Sequence, residues 1–291
     1  MTRIDIVTAV RSEEASIPPF VQHVRTLRLP QDVEVGLLFV EDSSDDGTVP
    51  LLRKLASQDP TIRYWSLERG FGQCPAIVYG MAHSAADAIV MLDVDGSHPI
   101  DAIPEMIERF RGGARVVQCR RRSVGGRRRW RNVGSAVFSR LGRWLTGVDV
   151  AGQNIYFRLV SAETAKMLVE NSIYWRFLRF PLPPPDSGDL SVLEVDTPER
   201  SVGESKYDFF RLARLAIDGL LSLMPRARFA ALAAAAALAG AAALAMGLWP
   251  LAALLLAALL WAGWRYAAVR VRYGLDRMRC VESSGALGEA R

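Results

Sequence analysis

The stretch Ile89-Val90-Met91-Leu92-Asp93-Val94-Asp95-Gly96-Ser97-His98-Pro99 places four apolar residues ahead of two carboxylates. The apolar run, bounded by Gly and Pro, predicts a strand over 88–92 that delivers Asp93 and Asp95 to its end. Alternate side chains of a strand share a face, so both carboxylates point the same way while Val94 packs behind them. Hard oxygen ligands of this kind favour Mg²⁺ or Mn²⁺, with coordination positions left for water and a substrate diphosphate. A solvated turn or a helix cap also accommodates an Asp-x-Asp pair.

Upstream the same strand-then-polar pattern recurs. Ile4 to Val10 reads as a strand that ends in Arg11-Ser12-Glu13-Glu14, and Ile17 to Leu27 has apolar residues at helical spacing, with Pro18 and Pro19 in its first turn. Val33 to Val40 is a second apolar strand, followed by Glu41-Asp42-Ser43-Ser44-Asp45-Asp46-Gly47-Thr48, where Asp46 or Thr48 opens a helix through Leu55. Ile62 to Leu67 is a third strand, and Pro75 to Ser84 a helix. Strands that are apolar throughout and alternate with helices predict an α/β fold with a mostly parallel sheet covered on both faces. Ligands bind at the carboxyl ends of such strands, where Glu13, Asp42, Asp93 and Asp95 all fall. Further on, 114–119 is a strand that Arg120-Arg121-Arg122 ends, with Arg127 to Arg131 beyond it.

Half of the 291 residues are apolar, and the formal net charge is +5. The apolar residues concentrate in Phe229 to Leu248 and Leu251 to Trp264, which contain no charged residue. These predict two transmembrane helices, about 229–248 and 251–269, joined by a turn at Gly247-Leu248-Trp249-Pro250. A helical hairpin buried in a soluble protein is the alternative. Arg226 and Arg228 before the hairpin, and Arg265, Arg270, Arg272, Arg277 and Arg279 after it, place both ends in the cytoplasm by the positive-inside rule. No signal peptide is read before the first strand, because Arg3 and Asp5 interrupt its apolar stretch. Cys74, Cys119 and Cys280 lie far apart without metal-ligand spacing, which suits a reducing compartment.

Apolar residues alternate with Arg211, Arg214 and Asp218 over 208–224, the pattern of an interfacial amphipathic helix. The small residues of Ala230 to Ala245, with Gly240, allow close helix contact and so a homo-oligomer. The division expected is 1–203 as a cytoplasmic α/β domain, 204–225 as a juxtamembrane amphipathic helix, 226–270 as the hairpin and 271–291 as a cytoplasmic tail. Nucleic acid is excluded as partner of the arginine stretch, since the hairpin already sets it against a bilayer and no aromatic stacking platform accompanies it.

The segments Glu13-Glu14, Val40 to Thr48, Gly72-Gln73-x-x-Ala76-Ile77, Leu92 to Asp95 with Ser97-His98-Pro99, and Gly203-Glu204-Ser205-Lys206-Tyr207 together resemble the family 2 glycosyltransferases. More narrowly, the chain resembles the polyprenyl-phosphate glycosyltransferases. The resemblance implies a GT-A fold and inverting transfer of a sugar from a nucleotide-sugar donor to polyprenyl phosphate, such as undecaprenyl phosphate, at the bacterial inner membrane. It implies a cation on Asp93 and Asp95, the nucleotide on Glu13 and Asp42, and phosphates on Arg120, Arg131 and Lys206. Ala9-Val10-Arg11-Ser12 and Glu41 depart from the family pattern. Relatives carry an Asp before a Gly-aromatic-Arg stretch, whereas here Asp149 is displaced and Gln153-Asn154 stands nearer Arg158. Asp149 then serves through a shifted loop, or Gln153 and Asn154 hold the acceptor. An inactive scaffold that binds nucleotide sugar or lipid phosphate is the competing reading.

Overall fold

The computed structural model describes residues 1–122, 140, 142–145, 154–171, 178, 189–196, 217–221, 224–269 and 278–284, the side chains of 154, 155 and 269 excepted. The elements that build the sheet are β1 (Thr2–Val10), α1 (Ile17–Thr26), β2 (Val33–Glu41), α2 (Thr48–Gln58), β3 (Ile62–Leu67), α3 (Gln73–Ala82), β4 (Ala88–Met91), α4 (Ile103–Arg111), β5 (Val116–Arg121), β6 (Asn154–Ser161), α5 (Ala162–Glu170), β7 (Leu190–Val195) and β8 (Cys280–Ser283). Two long helices, α6 (Arg226–Ala245) and α7 (Trp249–Val269), lie in the chain between β7 and β8.

The strands form one eight-stranded sheet in the order β7-β5-β6-β4-β1-β2-β3-β8. Its centre, β4-β1-β2-β3, is parallel throughout, and β5 pairs parallel with β7; β6 and β8 run antiparallel to their neighbours. This is the GT-A arrangement, with helices over both faces. Phe20, Leu52 and Met106 from α1, α2 and α4 pack with Ile6, Phe39 and Val90 on one face. On the other, Ile77 and Leu168 from α3 and α5 pack with Val7, Leu38 and Met91. Each fully buried side chain of this size contributes about 1.5–3 kcal/mol. Gly80 brings α3 close to the sheet, because a Cβ there would stand 2.6 Å from Val7 and 2.9 Å from Val40.

Several local expectations differ from the structure. β4 stops at Met91, so Asp93 and Asp95 sit in the loop beyond it, and strand alternation is not what aligns them. The N-cap of α2 is Gly47, with Asp46 Oδ1 accepting from Thr48 N at 3.0 Å. β5 runs on to Arg121, so Arg120 and Arg121 belong to the strand that they were expected to follow. β6 occupies part of the 147–158 stretch, and residues 280–283, inside the segment taken as a tail, pair with β3.

That last pairing is firmly tied. Arg53 of α2 donates to both oxygens of Glu282, at 2.7 and 2.6 Å, and Tyr64 of β3 donates its hydroxyl to the same carboxylate. Those bonds hold the Glu282 carboxyl down at about 2.

The described residues divide into two compact units, one containing the sheet and the other containing α6 and α7. Both long helices have the length and apolarity to cross a membrane. Gly247 turns the chain between them with φ +72°. Within this second unit the rings of Phe229 and Tyr266 stack at 3.9 Å, and Arg265 is buried against Asp218. Residues 217–221 are helical; the remainder of the expected amphipathic helix lies outside the described residues, apart from Met224.

Candidate active site

The carboxyl ends of β1, β2 and β4 open on one cavity of about 350 Å³, lined by Ala9, Val10, Arg11, Glu13, Asp42, Gly72, Gln73, Asp93, Val94 and Asp95. Four of the residues expected from the sequence thus meet there: Glu13, Asp42, Asp93 and Asp95.

Parallel pairing accounts for the first two. Val10 stands beside Glu41 in the register of β1 and β2, and Asp42 N donates to Val10 O at 2.9 Å. The loops that follow are joined by side chains. Ser12 N donates to Ser44 Oγ and Ser12 Oγ to Asp45 Oδ1, at 2.9 and 2.6 Å; Glu13 N donates to Thr48 Oγ1 at 3.0 Å; Glu14 N donates to Asp46 Oδ2 at 3.2 Å, and Gly47 N to Glu14 Oε2 at 3.1 Å. Ser12 and Ser43 hold left-handed backbone, at φ 55° and 63°, which costs a non-glycine residue about 1–2 kcal/mol.

Asp42 is 3% exposed and accepts from the backbone N–H groups of Phe71 and Gly72 at 2.6 and 2.8 Å. Burial pushes its carboxyl above the usual range, while those two donors and the Arg11 charge pull it back. Glu41, which departs from the family pattern, turns away from the cavity. It is 1% exposed and accepts from Ser44 N and Ser66 Oγ, so its extra methylene reaches a buried partner and the residue does not line the pocket.

A second wall is formed by the loop after β4 and the start of α3. Gln73, first residue of α3, donates its side-chain amide to Asp93 Oδ1. Asp95 is exposed, and its Oδ1 accepts from Ser97 N at 3.0 Å. Gly72, with φ +95°, turns the chain into α3, whose start at Gly72 and Gln73 lines the cavity; a helix N-terminus favours anionic groups.

Two carboxylates on one wall suit a hard divalent cation. Among the described residues no group of three His, Cys, Asp or Glu side chains is arranged to hold a metal on its own. Such a donor set fits Mg²⁺ or Mn²⁺ that takes one or two carboxylates and completes its shell with water and substrate phosphate oxygens.

Arg120 is exposed near the end of β5, two strands from β4, and is not among the residues lining the cavity. Asp149, Arg131 and Lys206 lie outside the described residues. Sequence reasoning passed over Arg11 and Gln73 as site residues. Gln73 had a signal in Gly72-Gln73 ahead of an apolar helix; Arg11 had none beyond its place after β1. Arg158 of β6 is wholly buried between Met91 and Gln118 in the strand register, and burial pushes its guanidinium down to about 10.

Residues 5–169 match the family described as Glycosyl transferase family 2. A bactoprenol glucosyl transferase of Shigella phage SfV is 32% identical over 225 residues, 76% of this chain and 71% of that protein. A prophage bactoprenol glucosyl transferase homolog of Escherichia coli K12 is 31% identical, over 76% of this chain and 72% of that one. An undecaprenyl-phosphate 4-deoxy-4-formamido-L-arabinose transferase of Shewanella sediminis is 27% identical, over 76% and 66%. Among solved structures, glucosyl-3-phosphoglycerate synthase from Mycobacterium tuberculosis aligns with a TM-score of 0.48 at 16% identity, covering 76% of this chain and 78% of that one. The match over residues 5–169 and the identity to the phage enzyme place this chain in glycosyl transferase family 2.

Proposed function

We propose that this family 2 glycosyltransferase is a membrane-anchored, inverting enzyme that moves a sugar from a nucleotide-sugar donor to a polyprenyl phosphate, assisted by Mg²⁺ or Mn²⁺. The observation that carries the reading is that Glu13, Asp42, Asp93 and Asp95 line one cavity together. Such a cavity suits a nucleoside diphosphate, with one wall for the nucleoside and the other for the phosphates. The names of the phage and Shewanella relatives support a polyprenyl-phosphate acceptor.

In this reading Glu13 and Asp42 receive the nucleoside, and Gln73 and the first turn of α3 face the diphosphate. A cation held by Asp93 and Asp95 would supply a Lewis acid for the departing diphosphate. Arg11 adds a cation to the same cavity. An oxygen of the acceptor phosphate forms the new bond to the anomeric carbon from the face opposite the nucleotide, the bond to the donor's β-phosphate oxygen breaks, and the electron pair leaves with the nucleoside diphosphate. That oxygen is already anionic, so no strong general base is required. Arg120, Arg131 and Lys206 are proposed to bind the phosphates through charge-assisted hydrogen bonds, and Asp149 to orient the acceptor.

The apolar pair α6 and α7 supplies the anchor. Both β7 and β8 belong to the sheet, and the pair lies between them in the chain, which supports a hairpin that leaves and returns to one side of the membrane. Arginines at those ends support the cytoplasmic side of a bacterial inner membrane.

Purified protein in detergent, given undecaprenyl phosphate, Mn²⁺ or Mg²⁺ and a panel of UDP- and GDP-sugars, tests the reading. One donor should yield free nucleoside diphosphate and lipid-linked sugar, both lost in Asp95→Asn. Metal-dependent nucleotide binding without product from any donor would instead favour the inactive scaffold.

A further inference from the structure

We propose that His98 is a positioning residue for Asp93: its Nε2–H closes onto Asp93 Oδ2 when cation and diphosphate are bound, and so fixes the carboxylate that holds them. The proposal rests on the metal-assisted reading above. His98 lies in the loop after β4, its side chain 8% exposed, with Nε2 3.6 Å from Asp93 Oδ2. Neither ring nitrogen has a hydrogen-bond partner among the described residues. A buried imidazole in that state costs free energy, on the order of 1–3 kcal/mol for each group left unsatisfied. A polar ring kept at that cost beside one particular carboxylate calls for a second state in which it is satisfied.

The local chain is built to hold the ring there. Asp95 Oδ1 accepts from Ser97 N, Gly96 turns at φ +73°, and Pro99 restricts the backbone of His98 to extended conformations. The ring packs against Phe157 of β6, centroids 5.6 Å apart. Asp93 is thereby bracketed, with Gln73 donating to Oδ1 and His98 standing off Oδ2.

His98 does not line the cavity, and it forms no three-residue metal cluster with Asp93 and Asp95. It therefore acts from behind the carboxylate rather than as a ligand. The gap between 3.6 Å and an ordinary hydrogen bond of about 2.9 Å is closed by a small rotation of either side chain. Partners that orient a ligating carboxylate in this way are worth roughly 10- to 100-fold in metal affinity.

The test is Mn²⁺ uptake by the full-length protein in detergent, read from loss of the free Mn²⁺ electron paramagnetic resonance signal with UDP or GDP present. Nucleotide binding in EDTA and thermal unfolding are measured alongside. His98→Phe keeps a ring against Phe157 but removes the donor; it should weaken Mn²⁺ binding about 10- to 100-fold, with metal-free nucleotide binding unchanged and Tm no lower than that of wild type, since the unsatisfied ring nitrogens are gone. His98→Gln, which restores an N–H donor, should recover part of the loss. If the phenyl ring does not fit, His98→Leu carries the same comparison. Equal Mn²⁺ binding by wild type and His98→Phe overturns the proposal. An equal loss in His98→Phe and His98→Gln, with weakened metal-free nucleotide binding, also overturns it and assigns His98 to packing. A wild type that takes up no Mn²⁺ with either nucleotide removes the metal-assisted reading, and this proposal with it.

Discussion

The loops after β1 and β2 are tied to each other and to the start of α3 through backbone N–H groups, whereas in the loop after β4 Asp95 accepts from its own turn at Ser97 N and Asp93 from the side chain of Gln73. On the first wall Asp42 accepts from Phe71 and Gly72, Glu14 from Gly47, and Asp46 from Glu14 and Thr48. On the second wall Asp95 is exposed and His98 stands 3.6 Å off Asp93. One wall is organised before anything binds. The other brings Asp93 and Asp95 to one cavity, where the proposed cation would sit. Substitutions on the two walls should therefore fail in different ways.

The largest effect belongs to the second wall. Asp95→Asn keeps the side chain's size and removes its charge, so the rate of sugar transfer should fall about 100- to 1,000-fold, with little change in thermal stability. Steady-state kinetics across a Mn²⁺ titration checks this. A variant as active as wild type would break the comparison.

Asp42→Ala, on the first wall, should act on binding and stability together. It removes an acceptor for two backbone donors, so donor KM should rise roughly 10- to 100-fold, from about 1.5–3 kcal/mol for hydrogen bonds to a charged group. The Mn²⁺ requirement should stay as it is, and that separates the two walls most cleanly. Thr48→Val strands the N–H of Glu13 and should cost about 1–3 kcal/mol of stability in denaturant unfolding.

The first wall's support extends to β8, and pH reveals it. Glu282 has its carboxyl lowered from 4.5 to about 2, mainly by hydrogen bonding with Arg53. A lowered carboxylate contributes stability above its unfolded value, and that contribution disappears as pH falls from about 4.5 towards 2. Glu282→Gln should therefore lower Tm by about 2–4 °C at pH 7 and leave it unchanged near pH 2. The smallest effect is expected at Ser43, whose left-handed backbone glycine would adopt without strain. Ser43→Gly should raise stability by at most about 1 kcal/mol and leave donor KM unaltered.

The central parallel strands and the residues of both walls were legible because apolar runs end in acidic loops there. Glu13, Asp42, Asp93 and Asp95 stand out as charges directly after such runs. β6 was hidden by its buried Arg158, which interrupts the apolar pattern although the strand lies inside the sheet. β8 was hidden for another reason: four residues with a central glutamate carry no period, and their partner Arg53 is 229 positions away. The pocket's cross-links between Ser12, Ser44 and Asp45 depend on left-handed serines that composition does not announce. His98 stands in the sequence as part of Ser97-His98-Pro99, one of the segments of the family resemblance, without a role of its own; its burial beside Asp93 is what suggests one.

The most direct test of the account follows labelled sugar from the donor that reacts in the panel into the organic phase, with undecaprenyl phosphate or unphosphorylated undecaprenol as acceptor. The account predicts label in the organic phase with the phosphate alone, appearing about 100- to 1,000-fold more slowly with Asp95→Asn. Label transferred equally to undecaprenol, or none with either lipid while the donor still binds, would contradict it.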